Sequence, residues 1–333
     1  MVWESVKPTE VGAPPGTREC ALTDWVVRFA LALPPGNPDD RAMNNISASR
    51  LFSRREALGA IGLFALACHP LLTATAAPKK RAMALQLYTL RDPAKNDLPG
   101  TLKKAREMGW EYVQWSGMPN LPAEKIRAEL DAAGLKAIAA HTAIEPFEKD
   151  FDANAKFWKT VGNKDLAPGG MMNDCKDNLE AWLTGAHRLD VLGAKLRAAG
   201  LRLSYHNHNF EFGHFPGDSR CKLDILMAAT KPENLCTELD LAWVLVGGAD
   251  PAAYIRKYKG RCPTVHVKDV VLAKNGKKQH FTPLGQGEQN WPEIFAAGDE
   301  AGIEWYIYEQ DSGEGSPFDF AHASYEFLAK HMK

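Results

Sequence analysis

Several apolar runs in this chain end in residues that can hold a cation or move a proton. AIAAHT ends near His141, LSYHNHNFEF carries His206-Asn207-His208, TELDLAW carries Glu238 and Asp240, TVHVKD carries His266, Lys268 and Asp269, and YIYEQD carries Glu309. Imidazole together with carboxylate suits a divalent first-row ion such as manganese, cobalt, zinc or iron. The absence of cysteine from the set argues against a purely structural zinc site. One such histidine is ordinarily a hydrogen-bonded core residue, whereas several converging on one face of a fold carry chemistry. Asp269 and Glu238 read as partners that hold the others in place, because they neighbour the inward positions of alternating strands.

Gathering these residues needs a fold in which many strand ends meet. Short β-rich runs occur at 82–88, 111–115, 136–141, 201–206, 235–239, 264–267 and 305–309, with a weaker one at 165–167. Helical stretches lie between them at 98–108, 123–133, 152–161, 179–199, 223–229, 252–258, 292–301 and 318–331. Gly109, Gly134, Gly162, Gly200 and Gly302 each follow a helix and precede a strand, the punctuation of a βα unit. Residues 77–333 are close to the ~250 typical of a (β/α)8 barrel, so the expected fold is a single-domain α/β TIM barrel with its site at the C-terminal strand ends. A doubly wound sheet lacks support: no strand–GxGxxG–helix fingerprint occurs, and Gly285-Gln286-Gly287 has no third glycine.

The first eighty residues read as an address. Residues 1–42 are proline-rich and without periodicity, a leader or an extension upstream of a start at Met43. Residues 43–76 resemble a twin-arginine export signal, with Ser53-Arg54-Arg55, the apolar run from Gly59 to Ala67, and Ala74-Thr75-Ala76 in the form a signal peptidase cuts. That run is too short to span a bilayer of about 30 Å. Cys68 is a poor lipidation site because Ala65 stands where a lipobox has leucine. The expected location is therefore periplasmic, without a lipid anchor.

Lysine and arginine total 40 against 41 acids, a net charge of -1, so the chain has no basic field for nucleic acid or an anionic membrane. A small molecule is the expected partner. The six cysteines show no CxxC or finger spacing.

Across 82–331 the motifs resemble the xylose isomerase-like TIM barrel superfamily of sugar isomerases and epimerases. GLRLSYHNHNFEF looks like the YHNHxFEF segment of a clade labelled sugar phosphate isomerase/epimerase, and ALQLYTLRD, ELDLAWVLVGGADPAAYI, HVKD and YEQD are similar to its other blocks in the same order. The resemblance implies one divalent metal held by Glu, Asp, His and Glu from strands five to eight. By position, Asp240, His266 and Glu309 match the last three. His206 falls on the first, in place of the glutamate, with His208 or Glu211 as fallbacks. Trp243 stands where many relatives have a substrate-binding histidine. The resemblance also implies a homodimer.

The implied chemistry is proton abstraction next to a carbonyl, giving epimerisation, isomerisation or elimination. With His206 in the first position a two-carboxylate epimerase scheme is in doubt. Glu309 as base, His206 or His208 as acid and Lys268 near the oxyanion suit elimination. Export points to an unphosphorylated sugar, keto-sugar or 3-keto-glycoside. His141, Glu211, Trp243, Trp115 and Tyr88 are the candidate substrate contacts, the aromatic ones as stacking walls. Two other readings stand beside this one. A non-catalytic, metal-containing sugar-binding barrel is motivated by the missing glutamate. An apurinic endonuclease-like phosphodiesterase is opposed by Trp243, by Gln279-His280-Phe281 where Asp-x-His is expected, and by the near-neutral charge.

Overall fold

The computed structural model of the protein describes residues 81–116, 119–274 and 278–332. The segment expected to be an export signal, with Arg54-Arg55, Met43 and Cys68, lies outside the described residues. The strands are β1 (Ala82–Gln86), β2 (Tyr112–Ser116), β3 (Lys136–His141), β4 (Asp165–Ala167), β5 (Arg202–His206), β6 (Cys236–Asp240), β7 (Thr264–Val267), β8 (Asp269–Val271), β9 (His280–Thr282) and β10 (Trp305–Tyr308). β1 to β7 and β10 close into an eight-stranded parallel barrel in which β10 pairs with both β7 and β1. β8 and β9 form an antiparallel hairpin inserted after β7. The fold is a single-domain (β/α)8 barrel, and every barrel strand lies where the apolar runs placed it.

The helices are α1 (Arg91–Asn96), α2 (Leu98–Glu107), α3 (Ala123–Ala133), α4 (Glu145–Lys149), α5 (Phe151–Val161), α6 (Leu179–Ala198), α7 (Lys222–Ala228), α8 (Leu241–Val246), α9 (Pro251–Lys257), α10 (Trp291–Ala301) and α11 (Pro317–His331). Side-chain caps start several of them: Asp97 on α2, Asp150 on α5, Asn178 on α6 and Asp250 on α9 each accept from a first-turn N–H, a contact worth about 1 kcal/mol. The five helix-ending glycines all have positive φ, where a Cβ would be strained. The additional elements are α1, α4, α8 and the hairpin. Each is only three to six residues long, too short for a hydrophobic period of its own.

Apolar residues fill the layer between barrel and helices, where Trp110, Trp182, Tyr205, Tyr306 and Tyr308 are fully buried. Cys175, Cys221, Cys236 and Cys262 are free thiols. No helix among the described residues is long and apolar enough to cross a membrane.

The closest backbone approach involves α6. A Cβ at Gly193 would lie 2.0 Å from the carbonyl oxygen of Asn234, just before β6. Gly193→Ala gains about 1 kcal/mol of helix propensity, but the helix must move off that carbonyl, and such overpacking costs ~1–3 kcal/mol. The urea midpoint of the variant is expected below that of the wild type; a higher midpoint would mean that α6 shifts freely.

Candidate active site

Strand alternation and register bring the chemistry-bearing residues into the barrel's upper end. Glu238 and Asp240 lie two apart on β6 and so share the inward face. Glu238 is opposite His206 in register, and Asp240 is opposite His266. Glu309 follows β10 directly, and Lys268 stands between β7 and the hairpin. His206, Asp240, His266, Lys268 and Glu309 are all buried.

Local interactions fix their directions. Asp240 caps α8 by accepting the Trp243 N–H on Oδ1 at 3.0 Å, which turns Oδ2 into the barrel. Asn207 clamps the same strand end: its Oδ1 accepts the Asp240 N–H at 3.1 Å and its Nδ2 donates to the Asp240 carbonyl at 3.4 Å. Asp269 accepts from the N–H groups of Val270, Gly285, Gly287 and Gln289 and from Trp291 Nε1. It thus ties the segment after β9 to the foot of the hairpin, which places Phe281 against Trp243 at a ring separation of 5.2 Å.

Four of the expected residues, His206, Asp240, His266 and Glu309, offer donor atoms that all lie within 4.8 Å of one another. His266 Nδ1 is 3.0 Å from Glu309 Oε2, and His206 Nε2 is 3.8 Å from Asp240 Oδ2. His206 Nδ1 is buried without a hydrogen-bond partner and faces Glu238, while the buried Asp240 Oδ2 is ion-paired with Lys268. Two imidazoles and two carboxylates with donor atoms this close together fit a divalent first-row ion. Lys268 is the counter-charge in its neighbourhood, its Nζ lying 2.9 Å from Asp240 Oδ2, Glu309 Oε2 and Asp311 Oδ2.

These contacts set the protonation states. For Glu309, burial favours the neutral acid, but Lys268 and His266 outweigh it and hold the carboxyl well below its usual range. Burial likewise opposes charge on His266, yet Glu238 and Glu309 push it up to about 10. Burial holds His206 well below its ordinary value, and burial with Lys268 lowers His208 to about 4. Both of these imidazoles are therefore neutral at pH 7, hydrogen-bond partners or metal donors rather than the protonated acid expected of one of them.

The remaining candidates divide. His141 reaches the cluster, with Nε2 donating to Glu238 Oε1 at 2.7 Å. Trp243 and His208 pack together 5.6 Å apart at the mouth, and the Lys268 ammonium lies 5.8 Å from the Trp243 ring and 5.4 Å from that of Phe281. Tyr88 is exposed beside this end of the barrel, its ring under Arg91, which also donates to the Asp311 carbonyl.

Three expectations are corrected. Trp115 alternates with inward-facing Gln114 and belongs to the apolar core cluster, so it is no stacking wall. Glu211 is buried behind the site, accepting from Tyr205 Oη at 2.7 Å and from the His208 N–H at 2.8 Å, and it positions the His208 loop. Glu238 is central: Oε1 faces His141, His206 and His266, while Oε2 accepts from Gln114 Nε2 at 2.8 Å. Sequence reasoning missed Gln86, Gln114, Phe281 and Asp311. Gln86 donates to Gln114 at 2.8 Å, and the signal for both was a lone amide inside an apolar run, ALQLY and YVQWS.

The comparisons with known proteins agree with this architecture. The family described as xylose isomerase-like TIM barrel matches residues 102–331. The chain belongs to this family. Inosose dehydratase of Lacticaseibacillus casei is 27% identical over 169 residues, covering 46% of this chain and 55% of the relative, so the chain spans about half that relative's length. Inosose dehydratase of Clostridium perfringens is 26% identical over 247 residues, covering 66% and 82%. A solved sugar phosphate isomerase/epimerase of Parabacteroides distasonis superposes with a TM-score of 0.62 at 21% identity, covering 77% of this chain and 98% of that one, a likeness of fold.

Glu211 yields a test of its positioning role. Burial pushes its carboxyl up to about 7 against the hydrogen bonds from Tyr205 and the His208 N–H. Because the folded value lies above the unfolded one, its contribution to stability is fully present below about pH 4.5 and is lost as pH rises through 7. Glu211→Gln should flatten the fall in unfolding free energy between pH 4.5 and 7, measured by urea melts across that range. An unchanged slope would show that Glu211 is ionised in the native barrel.

Proposed function

We propose that this protein is a metal-dependent enzyme acting on an unphosphorylated keto-sugar, 3-keto-glycoside or keto-cyclitol, removing the proton beside the carbonyl and expelling the hydroxyl β to it. The observation that carries this reading is Glu309, an ionised base beside the Lys268 ammonium, with His206 instead of a second carboxylate in the position from which a relative could return the proton. Inosose dehydratases among the relatives support dehydration over epimerisation. Epimerisation through the same enediolate is the second reading.

His206, Asp240, His266 and Glu309 would hold the ion, which when bound polarises the carbonyl and stabilises the charge that develops on its oxygen. Glu309 takes the α proton. The C–H electron pair forms the new double bond as the β C–O bond breaks, and the departing hydroxide takes a proton from Lys268, which recovers the α proton from Glu309, and leaves as water. Lys268, held between Glu309 and Asp311, is the ammonium that meets the oxyanion or the leaving oxygen. His208, Trp243 and Phe281 flank the entrance, with the aromatic faces suited to the apolar side of a sugar ring.

The enzyme reading is tested by incubating the metal-reconstituted chain with keto-inositols and 3-keto-glucosides in D2O and following products by mass spectrometry. Loss of water with turnover reduced at least ~10³-fold in Glu309→Gln, at unchanged near-UV circular dichroism, is expected for general-base catalysis. Deuterium uptake without water loss would replace elimination by epimerisation. Saturable binding with neither change would make this a sugar-binding barrel.

An unphosphorylated substrate goes with export through residues 43–76, which belongs to the same proposal. Replacing Arg54 and Arg55 together by lysine should trap a fusion of residues 43–333 in the cytoplasmic fraction; unchanged periplasmic delivery would remove the twin-arginine reading. Homodimer formation is also part of the proposal, to be read from the sedimented mass of residues 77–333.

A further inference from the structure

Glu238 sits at the centre of a second group of donors, which joins it and His141, neither used by the proposed reaction, to His206 and His266 of the first group. Its Oε1 is 2.7 Å from His141 Nε2, 3.1 Å from His266 Nε2 and 3.5 Å from His206 Nδ1. Donor atoms of these four residues all lie within 4.8 Å of one another. Nitrogen and oxygen donors about 2.0–2.1 Å from a tetrahedral ion stand about 3.4 Å apart, so the His206–Glu238 separation of 3.5 Å already suits an ion, and the 2.7 Å His141–Glu238 hydrogen bond need only open to admit one.

Hydrogen bonding alone leaves the group incomplete. His206 is buried and its Nδ1, which faces Glu238, has no hydrogen-bond partner. The other carboxylate oxygen of Glu238 is meanwhile held firmly, by Gln114 Nε2 at 2.8 Å and Thr264 Oγ1 at 3.2 Å, with Gln86 behind Gln114. Outer contacts of this kind orient a metal-binding carboxylate.

The ring nitrogens divide the donors between two positions. His266 Nε2 donates to Gln114 Oε1 at 2.6 Å, which leaves Nδ1 toward Glu309 and assigns that ring to the upper set. His206 presents Nε2 to the upper set and Nδ1 to the lower one. A neutral imidazole has one lone pair, so with an ion at each level it serves only one. Asp240, His266 and Glu309 then remain above, and His141, His206 and Glu238 lie below. Two histidines and one glutamate with an open fourth position is a donor set that zinc enzymes use.

We infer that the barrel contains a second metal-binding position beneath the first, formed by His141 Nε2, His206 Nδ1 and Glu238 Oε1, which takes a late first-row dication such as zinc, cobalt or nickel. Its imidazole majority favours these ions, while the carboxylate majority above it suits manganese or magnesium equally well.

The test is equilibrium dialysis of chelator-stripped full chain against zinc and, separately, cobalt, whose visible spectrum reports the donor set. The wild type is expected to bind two equivalents. Glu238→Gln, which keeps the side chain's size, should bind one, and its cobalt spectrum should lose the component assigned to the lower position. Asp240→Asn retaining the Glu238-dependent equivalent supports the lower position whatever becomes of the upper one. If Glu238→Gln fails to fold by near-UV circular dichroism, His141→Gln replaces it with the same expectation. A wild type that binds a single equivalent, unchanged in affinity and spectrum by Glu238→Gln or His141→Gln, would overturn the inference.

Discussion

Glu238, Asp240 and Glu309 place three carboxylates where the barrel excludes water, and neutralising them is the constraint on which the polar interior depends. A buried carboxylate without a partner costs several kcal/mol. The barrel answers with cations set between the acids. His266 stands between Glu238 and Glu309 and is driven to about 10 by them, and Lys268 reaches Asp240, Glu309 and Asp311 at 2.9 Å each. Burial still leaves Asp240 raised to about 6 despite Lys268. The cluster therefore tolerates added positive charge, which is the electrostatic condition for holding a dication at the same oxygens.

Backbone geometry delivers these groups to one another with few specialised contacts. Parallel register puts His206 beside Glu238 and Asp240 beside His266, and strand alternation turns all four inward. The end of β6 is then locked twice, by Asp240 capping α8 and by Asn207 bridging from β5. In the HNH segment the outer two residues supply imidazoles and the middle one supplies the clamp. Asp269 does comparable work for the mouth, converging four backbone N–H groups and the Trp291 indole on one carboxylate to hold the turn behind Phe281.

The barrel was legible in the sequence because each strand is a compact apolar run and each helix is long enough to show its period and its closing glycine. The clustering of His206, Asp240, His266 and Glu309 was legible for the same reason, since all four end such runs. Glu238 was misjudged although the parity rule identified it: two residues from Asp240, it must share that residue's face. Trp115 failed by the same rule in reverse, being one residue from inward Gln114. Phe281 and Asp311 could not be placed by pattern, because one rides on a three-residue strand and the other on a loop, and loops are positioned by contacts such as those of Asp269 rather than by periodicity.

His206 is the residue of the expected ligand set with the largest chemical consequence. A carboxylate in that position could accept and return a proton and could also bridge two ions with its two oxygens. A buried neutral imidazole does neither: burial holds it well below its ordinary value, and its lone pair serves one ion. The site is thus left with Glu309 as its ionised carboxylate and with an ammonium, Lys268, held beside it by Asp311. An acid–base pair on one side of a substrate removes a proton and assists a departing oxygen, whereas inversion of a carbon needs groups on both faces. The same residue that weakens the epimerase reading therefore strengthens elimination, and its second nitrogen turns toward Glu238, where the barrel has gathered the donors that a glutamate at this position would not have required.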